Sequence, residues 1–243
     1  MRIGIIGTGT IAAAVVEGLA GDGHRITVSE RSRTRSQDLA ERFDEVSVAG
    51  NQAVLDASDV VFLGLMASAA PDILAPLRFR EGQRVVSLMA DATLADVARL
   101  VAPAEAAAVM IPFPAISRGG SPILALGDTT LIEVLFGARN TVLPLAAENE
   151  FAAYMVAQSL LSAAALMVSR TAQWLAPRVA EPAEAEAFLR RLIASALDGQ
   201  DSDTLLAQLD TPGGYNQRMR VAMEEADVPN ALHATFDRLS RNP

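Results

Sequence analysis

The tightest constraint on this chain is a six-residue turn that starts at position 7. Gly7-Thr8-Gly9-Thr10-Ile11-Ala12 follows an apolar, β-branched run over 2–7. It opens a segment in which Ala12, Ala13, Val15, Val16 and Leu19 recur at helical spacing as far as Gly21 and Gly23. Strand, glycine turn, helix is the context in which G-x-G-x-x-G/A has a mechanism. The first glycine makes the tight turn and the second lets backbone approach a pyrophosphate. The third small residue lets helix and strand pack closely. The free N–H groups of the helix N-terminus then face the phosphates. Such a motif alone also fits a purely structural glycine turn. Its context favours a dinucleotide site built by Gly7, Thr8, Gly9, Thr10 and Ile11.

The alternation continues downstream. Arg25–Glu30 reads as a strand and Arg33–Phe43 as a polar helix, with a short strand at Val46–Val48. Asp59–Leu65 is a continuous apolar run of the kind found in buried parallel strands. A helix over Ser68–Leu77, shortened by Pro71 and Pro76, separates it from a strand at Arg84–Met89. Thr93 is placed to cap the helix Leu94–Val101. Ala106–Met110 reads as a strand and Ile111–Pro122 as a loop. Short strands at Ile123–Leu126 and Asn140–Leu143 bracket a helix at Thr129–Phe136.

Near residue 145 the pattern changes. Glu148–Trp174 is an almost unbroken helical pattern, apolar on nearly every side, which predicts burial within a domain or against another subunit. Helices at Glu181–Leu197, Thr204–Leu209, Gln217–Ala226 and Ala231–Ser240 follow. The expected class is therefore α/β. A Rossmann-type doubly wound sheet over 1–145 is followed by an all-α domain over 146–243.

Composition narrows the chemistry. The chain has no Cys, no Lys among its 20 basic residues, and two His. Thiolate nucleophiles, zinc–cysteine sites, lysine general acids and three-histidine metal sites are excluded, and no metal is expected. A net charge of -9 argues against nucleic acid as a partner. The glycine turn follows the N-terminus at once, and no consecutive apolar run reaches the length of a membrane span, so a cytoplasmic protein without a membrane partner is expected.

The end of the second strand bears on the choice of dinucleotide. Glu30 lies where an acidic residue would bond a ribose 2′-hydroxyl. The same turn, Ser29-Glu30-Arg31-Ser32-Arg33-Thr34-Arg35, crowds three Arg among hydroxyls, which suits a 2′-phosphate. Ser29, Arg31 and Ser32 are the candidates for the adenosine ribose or its phosphate. NADP(H) is expected ahead of NAD(H).

Several segments together resemble the pyrroline-5-carboxylate reductases along the whole chain. These are the opening Ile3–Ala12, Ser29–Ser32, and Val85-Val86-Ser87-Leu88-Met89-Ala90-Asp91-Ala92-Thr93-Leu94, which has Asp91 where that family carries Gly. Met110-Ile111-Pro112-Phe113-Pro114-Ala115 is similar to the family's MPNTPA loop, and Thr211-Pro212-Gly213-Gly214-Tyr215-Asn216 to its SPGGTT motif. The chain departs from the family at Leu65-Met66-Ala67, where a valine-lysine-proline is usual. It departs again at Pro112 for the loop Asn, and at Glu148–Tyr154, where only the final Ala-Tyr is kept.

The resemblance implies NAD(P)H-dependent reduction of a small cyclic imine, of the kind used in L-proline biosynthesis. It also implies that the PGG segment holds the substrate carboxylate and that the helical half forms a homodimer or a ring of dimers. The missing Lys is consistent with this, because an imine is readily protonated near neutral pH whereas a carbonyl needs a strong acid beside it. Leu65 and Met66 are expected to line the cofactor cleft, with Met110 and Pro112 approaching the nicotinamide. Gly213, Gly214 and Asn216 are expected to contact a small anionic substrate in a pocket that Met110–Gly120 completes. Arg118 is a candidate second anion anchor, and Glu148 and Glu150 could meet a substrate amine, while Glu148 could equally cap the long helix. A non-catalytic NAD(P)-binding regulator and a reductase of another small oxo or imino acid are the competing readings.

Overall fold

The computed structural model describes residues 1–241. It divides into two compact units, Met1–Phe151 and Ala152–Pro243. The division falls slightly later than the change of composition at 145, because Phe151 is buried and goes with the first unit.

In chain order the first unit holds β1 (Arg2–Ile6), α1 (Thr10–Leu19), β2 (Arg25–Ser29), α2 (Arg33–Arg42), β3 (Val46–Ala49), α3 (Asn51–Asp56) and β4 (Val60–Leu63). Then come α4 (Ala70–Leu74), β5 (Arg84–Ser87), α5 (Leu94–Val101), β6 (Glu105–Pro112), β7 (Pro122–Gly127), α6 (Thr129–Phe136), β8 (Thr141–Leu145) and the start of α7 (Glu148–Ala157). The eight strands form one sheet in the order β3-β2-β1-β4-β5-β6-β7-β8. β1 to β6 run parallel, with Ile3 beside both Ile26 and Val60. The chain winds outward from β1 to β3 and then crosses to β4 on the other side. The topological switch point therefore lies between β1 and β4, directly beyond the glycine turn.

Strand parity sorts the core. Ile3, Ile5, Phe62, Val86, Ala108 and Met110 point to the face covered by α1 and α6. Ile6, Val61, Leu63 and Val85 point to the face that packs on α3, α4 and α5. Both faces are covered, which is why the strands read as continuous apolar runs. Phe62 and Phe136 meet edge to face at 6.1 Å.

The structure departs from the expectations after β6 and between β3 and β4. The Ile111–Pro122 loop shrinks, because β6 runs on to Pro112 and β7 begins at Pro122, antiparallel to it, with Met110 opposite Ala125. The residues between fold back onto α1. There Gly18 allows a close approach: a Cβ on it would lie 2.8 Å from the Ile116 carbonyl oxygen. The helix α3 was not anticipated, since six residues are too few to display a period.

The second unit contains the rest of α7, then α8 (Leu160–Leu175), α9 (Pro182–Asp198), α10 (Ser202–Gln208), α11 (Tyr215–Glu225) and α12 (Val228–Arg241). The expected unbroken helix is interrupted at Gln158–Ser159. The expectation that no apolar run reaches membrane length does not hold. Glu148–Arg178 is long and apolar enough to cross a membrane, with mean hydropathy 1.7, once its scattered polar residues are averaged in. Nor is it buried inside a domain, as only 6% of its 18-residue apolar window is covered within this chain.

Candidate cofactor site

The carboxyl ends of β1, β2, β4, β5 and β6 share one edge of the sheet, and the glycine turn occupies its middle. Gly7 takes φ +88°, a conformation that L side chains rarely adopt. Its N–H donates to Ser29 Oγ at 2.8 Å, and Thr8 Oγ1 donates to the Ser29 carbonyl at 2.9 Å. Ser29, expected on the adenosine ribose, is thus buried with its hydroxyl engaged by the turn. The Thr8 side chain is likewise turned inward. These bonds tie the ends of β1 and β2 together.

Gly9 differs from Gly7. It is extended, at φ -77° and ψ -176°, and it is the N-cap of α1 with no side-chain cap of its own. A Cβ built on Gly9 would meet nothing within 4 Å. Nothing in the protein requires glycine there. The Thr10 and Ile11 N–H groups have no acceptor among the described residues, as expected for the first turn of a helix that awaits an anion. A methyl group at Gly9 would take up part of the open space through which the backbone of such a turn approaches a pyrophosphate. The donor set and the open space together fit a dinucleotide pyrophosphate.

The turn has a second support that sequence reasoning missed. A Cβ on Gly64, one residue beyond β4, would sit 2.4 Å from the Gly7 carbonyl oxygen and 2.7 Å from Ala12 Cβ. A Cβ on Gly7 would in turn sit 2.4 Å from the Gly64 carbonyl oxygen. Gly64 and the small Ala12 therefore let α1 and the two central strands close on each other. The available signal was a lone glycine at the end of an apolar strand run, which often marks close backbone approach.

Around this centre the other candidates sort as follows. Leu65 lies against the turn and is nearly buried, whereas Met66 presents an apolar side chain that is 73% exposed. Arg31, Arg33 and Arg35 are exposed beside the end of β2, and none forms an ion pair among the described residues. Ser32, at the start of α2, is half-buried. After β5, the Met89 N–H bonds Ser87 Oγ at 3.1 Å. Met89, Asp91 and Ala92 border a cavity of about 260 Å³ between α4 and α5.

Met110 and Pro112 do not present themselves to a ligand as expected. Both are buried, and Met110 is wholly enclosed in the core under α1 because it shares the parity of Ala108. Arg118 is exposed and forms no ion pair among the described residues. At the start of α7 it is Glu150, not the expected Glu148, that accepts from the Ala146 N–H, at 2.7 Å. His24 contacts the N-terminal amine, and its pKa is lowered by partial burial and by that charge. No group of residues able to hold a metal occurs among the described residues.

In the helical unit, the Thr211–Asn216 segment is a locally closed turn. Gly213 sits at φ +74° and its N–H donates to Gln217 Oε1 at 2.8 Å. The Gly214 N–H donates to the Thr211 carbonyl at 2.9 Å. The two glycine N–H groups expected to bind a carboxylate are thus already bonded. The uncapped first turn of α11 and the exposed Asn216 side chain remain available.

The switch point, the glycine turn and its unbonded helix N-terminus define a protein of the Rossmann dinucleotide-fold class. Residues 2–91, which carry β1 to β5 and the turn after them, match the family described as NADP oxidoreductase coenzyme F420-dependent. No curated protein matches the chain by sequence. Solved structures match its fold over nearly the whole length. A 1-pyrroline-5-carboxylate reductase from Streptococcus pyogenes is 22% identical with a TM-score of 0.80, the match covering 99% of this chain and 98% of that one. A pyrroline carboxylate reductase from Plasmodium falciparum with NADP bound is 10% identical with a TM-score of 0.83, covering 99% and 96%. An imine reductase from a Pseudomonas species is 17% identical with a TM-score of 0.62, covering 98% and 90%. This chain has the fold of these proteins.

Proposed function

We propose that this protein is an NADPH-dependent reductase of a C=N bond in a small, anionic cyclic imine. The observation that carries the reading is the chemistry of the sheet edge. Beyond β1, β4, β5 and β6 the exposed or half-buried side chains are mostly apolar, and Asp91 is the ionisable group among 64–67, 88–92 and 113–116. The chain has no Lys or Cys to add to them. A carbonyl acceptor needs a strong acid beside its oxygen, because the alkoxide it forms is very basic. A protonated imine brings its proton with it. Such a substrate asks the protein chiefly for orientation and exclusion of water. The names of the solved structures that share the fold support the same class.

NADPH, when bound, supplies the hydride. Gly9 and the Thr10 and Ile11 N–H groups would hold its pyrophosphate, with Gly7 shaping the turn through its bond to Ser29, and Arg31 with Ser32 would hold the adenosine end. Leu65 and Met66 cover one side of the cleft. In the helical unit, the exposed Asn216 amide and the open first turn of α11 offer donors for a carboxylate.

We take the protein to be a homodimer joined through its helical unit. The exposed apolar side chains of Glu148–Arg178 continue onto α9, which favours cover by a second copy over a membrane. Light scattering that reports a monomer at micromolar concentration overturns this part.

The test of the activity is loss of reduced-nicotinamide absorbance with a panel of five- and six-membered cyclic imines, with and without a carboxylate, beside 2-oxo acids. Turnover of the imines supports the reading. NADPH binding without turnover of any acceptor makes the protein a non-catalytic dinucleotide binder, and turnover of 2-oxo acids alone makes it a carbonyl reductase.

A further inference from the structure

The ends of β1, β4 and β5 are level on the cofactor edge. The Gly64 N–H donates to the Ile6 carbonyl at 2.8 Å, and the Leu88 N–H donates to the Leu63 carbonyl at 3.0 Å. With the pyrophosphate at Gly9 and the adenosine end beside β2, the nicotinamide half of a dinucleotide extends the other way, over the ends of β4 and β5. Asp91 lies in the turn 89–92 that follows β5 on this edge. It carries the one ionisable side chain among 64–67 and 88–92.

The charge of Asp91 is not compensated by its surroundings. Its carboxylate is exposed and has neither a hydrogen-bond donor nor an ion-pair partner among the described residues. Together with Ala67, Met89 and Ala92 it borders the cavity of about 260 Å³ between α4 and α5. α5 brings two charged groups to that cavity, Asp96 and Arg99, and these pair with each other. Asp96 also accepts from the Thr93 N–H and hydroxyl. α4 brings Pro71, which has no charge. A negative charge is therefore left over at the strand ends. Nor does the turn need glycine at this position, where the resembled family carries one. Asp227 is the non-glycine residue with positive φ among the described residues, so Asp91 stands in ordinary backbone.

A carboxylate in this place distinguishes the two oxidation states of a nicotinamide. The reduced ring is neutral; when hydride leaves, both electrons of the broken C–H bond pass into the new C–H bond of the reduced acceptor, and the ring is left oxidised and cationic. We infer that the Asp91 carboxylate favours the oxidised, cationic nicotinamide over the reduced, neutral one. Asp91 then faces the positive charge as it develops during hydride transfer, which is where a fixed opposite charge assists a reaction. It also holds NADP⁺ in the site in competition with NADPH, so turnover slows as the oxidised share of the cofactor rises. This role of Asp91 rests on the proposed NADPH site.

Isothermal titration of the full chain with NADP⁺ and with NADPH tests it. Pyrophosphate and adenosine contacts are common to the two forms and cancel in the ratio of their affinities. Asp91→Asn should weaken NADP⁺ binding by about fivefold, as for a well-placed exposed pair of opposite charges, and NADPH binding by less than about twofold. Asp91→Gly should change the ratio in the same way. In the parent the relative affinity for NADP⁺ should fall as salt is raised, and in Asp91→Asn it should stay flat. Asp44→Asn removes an exposed carboxylate ahead of β3, on the opposite edge of the sheet, and should leave the ratio as it is in the parent. A ratio that either Asp91 variant leaves unchanged, or that Asp44→Asn moves equally, overturns the role of Asp91 and leaves the cofactor site standing. Failure of the parent to bind either form overturns both.

Discussion

Replacement of Gly9 by alanine separates what the protein needs from what its ligand needs. In the protein alone the new methyl meets open space, and the backbone there is one that any residue adopts. Alanine is a poorer N-cap than glycine, at about 1 kcal/mol or less. Stiffening of the unfolded chain returns about 0.4–1 kcal/mol. The net effect on stability should stay within about 1 kcal/mol, or a few degrees in Tm for a chain of this size. The ligand loses more. The methyl takes up part of the open space in which a pyrophosphate approaches the Thr10 and Ile11 N–H groups, and hydrogen bonds to charged groups are worth roughly 1.5–3 kcal/mol each. Losing the better part of two weakens NADPH binding by about 100-fold.

Gly64→Ala is the contrasting variant. Its Cβ would press on the Gly7 carbonyl oxygen at 2.4 Å and on Ala12 at 2.7 Å, inside the fold. Overpacking of this kind costs about 1–3 kcal/mol, so Gly64→Ala should melt several degrees lower. Differential scanning calorimetry and isothermal titration with NADPH on both variants decide the matter. The reasoning is refuted if Gly9→Ala melts as low as Gly64→Ala, or if it binds NADPH as the parent does.

Isothermal titration should show NADPH bound more tightly than NADH, and Arg31→Ala/Arg33→Ala should remove at least tenfold of that preference. Equal or tighter NADH binding in the parent contradicts the assignment of the β2 arginines. Asn216→Ala should raise KM for an anionic imine by about tenfold to a hundredfold with NADPH affinity nearly unchanged. An unchanged KM, or an equal loss of cofactor binding, leaves the Thr211–Asn216 segment as a turn alone. Thr93→Ala should lower stability by about 1 kcal/mol, because Thr93 Oγ1 accepts from the Asp96 N–H and the Asp96 carboxylate accepts from the Thr93 N–H in return. The Asp96 carboxyl is held below its ordinary pKa first by the Thr93 hydroxyl. Its contribution is therefore complete above the ordinary aspartate pKa and is lost as pH falls through the lowered value. The gap between parent and Thr93→Ala in denaturant titrations should narrow in acid, where the Thr93 hydroxyl loses its carboxylate partner, without closing, because Thr93 Oγ1 still accepts from the Asp96 N–H; a constant gap across that range would contradict the linkage.

The sequence by itself determined the elements whose signals are local. The glycine turn, the apolar run of β4, the Thr93 cap and the change from α/β alternation to helices alone are each written within a dozen residues. For that reason the Rossmann-type class and most of its elements could be read directly. What pairing and packing decide was not legible. Strand periodicity carries no direction, so only the β6–β7 register shows that the sheet reverses there. The seclusion of Met110 follows from its parity with Ala108 under α1, although its position at a strand end pointed to the cleft. Ser29 offered a free hydroxyl in sequence and became part of the turn because β1 and β2 end side by side. Gly64 has no motif of its own, and its role exists only because Gly7 and Ala12 close on it from across the sheet.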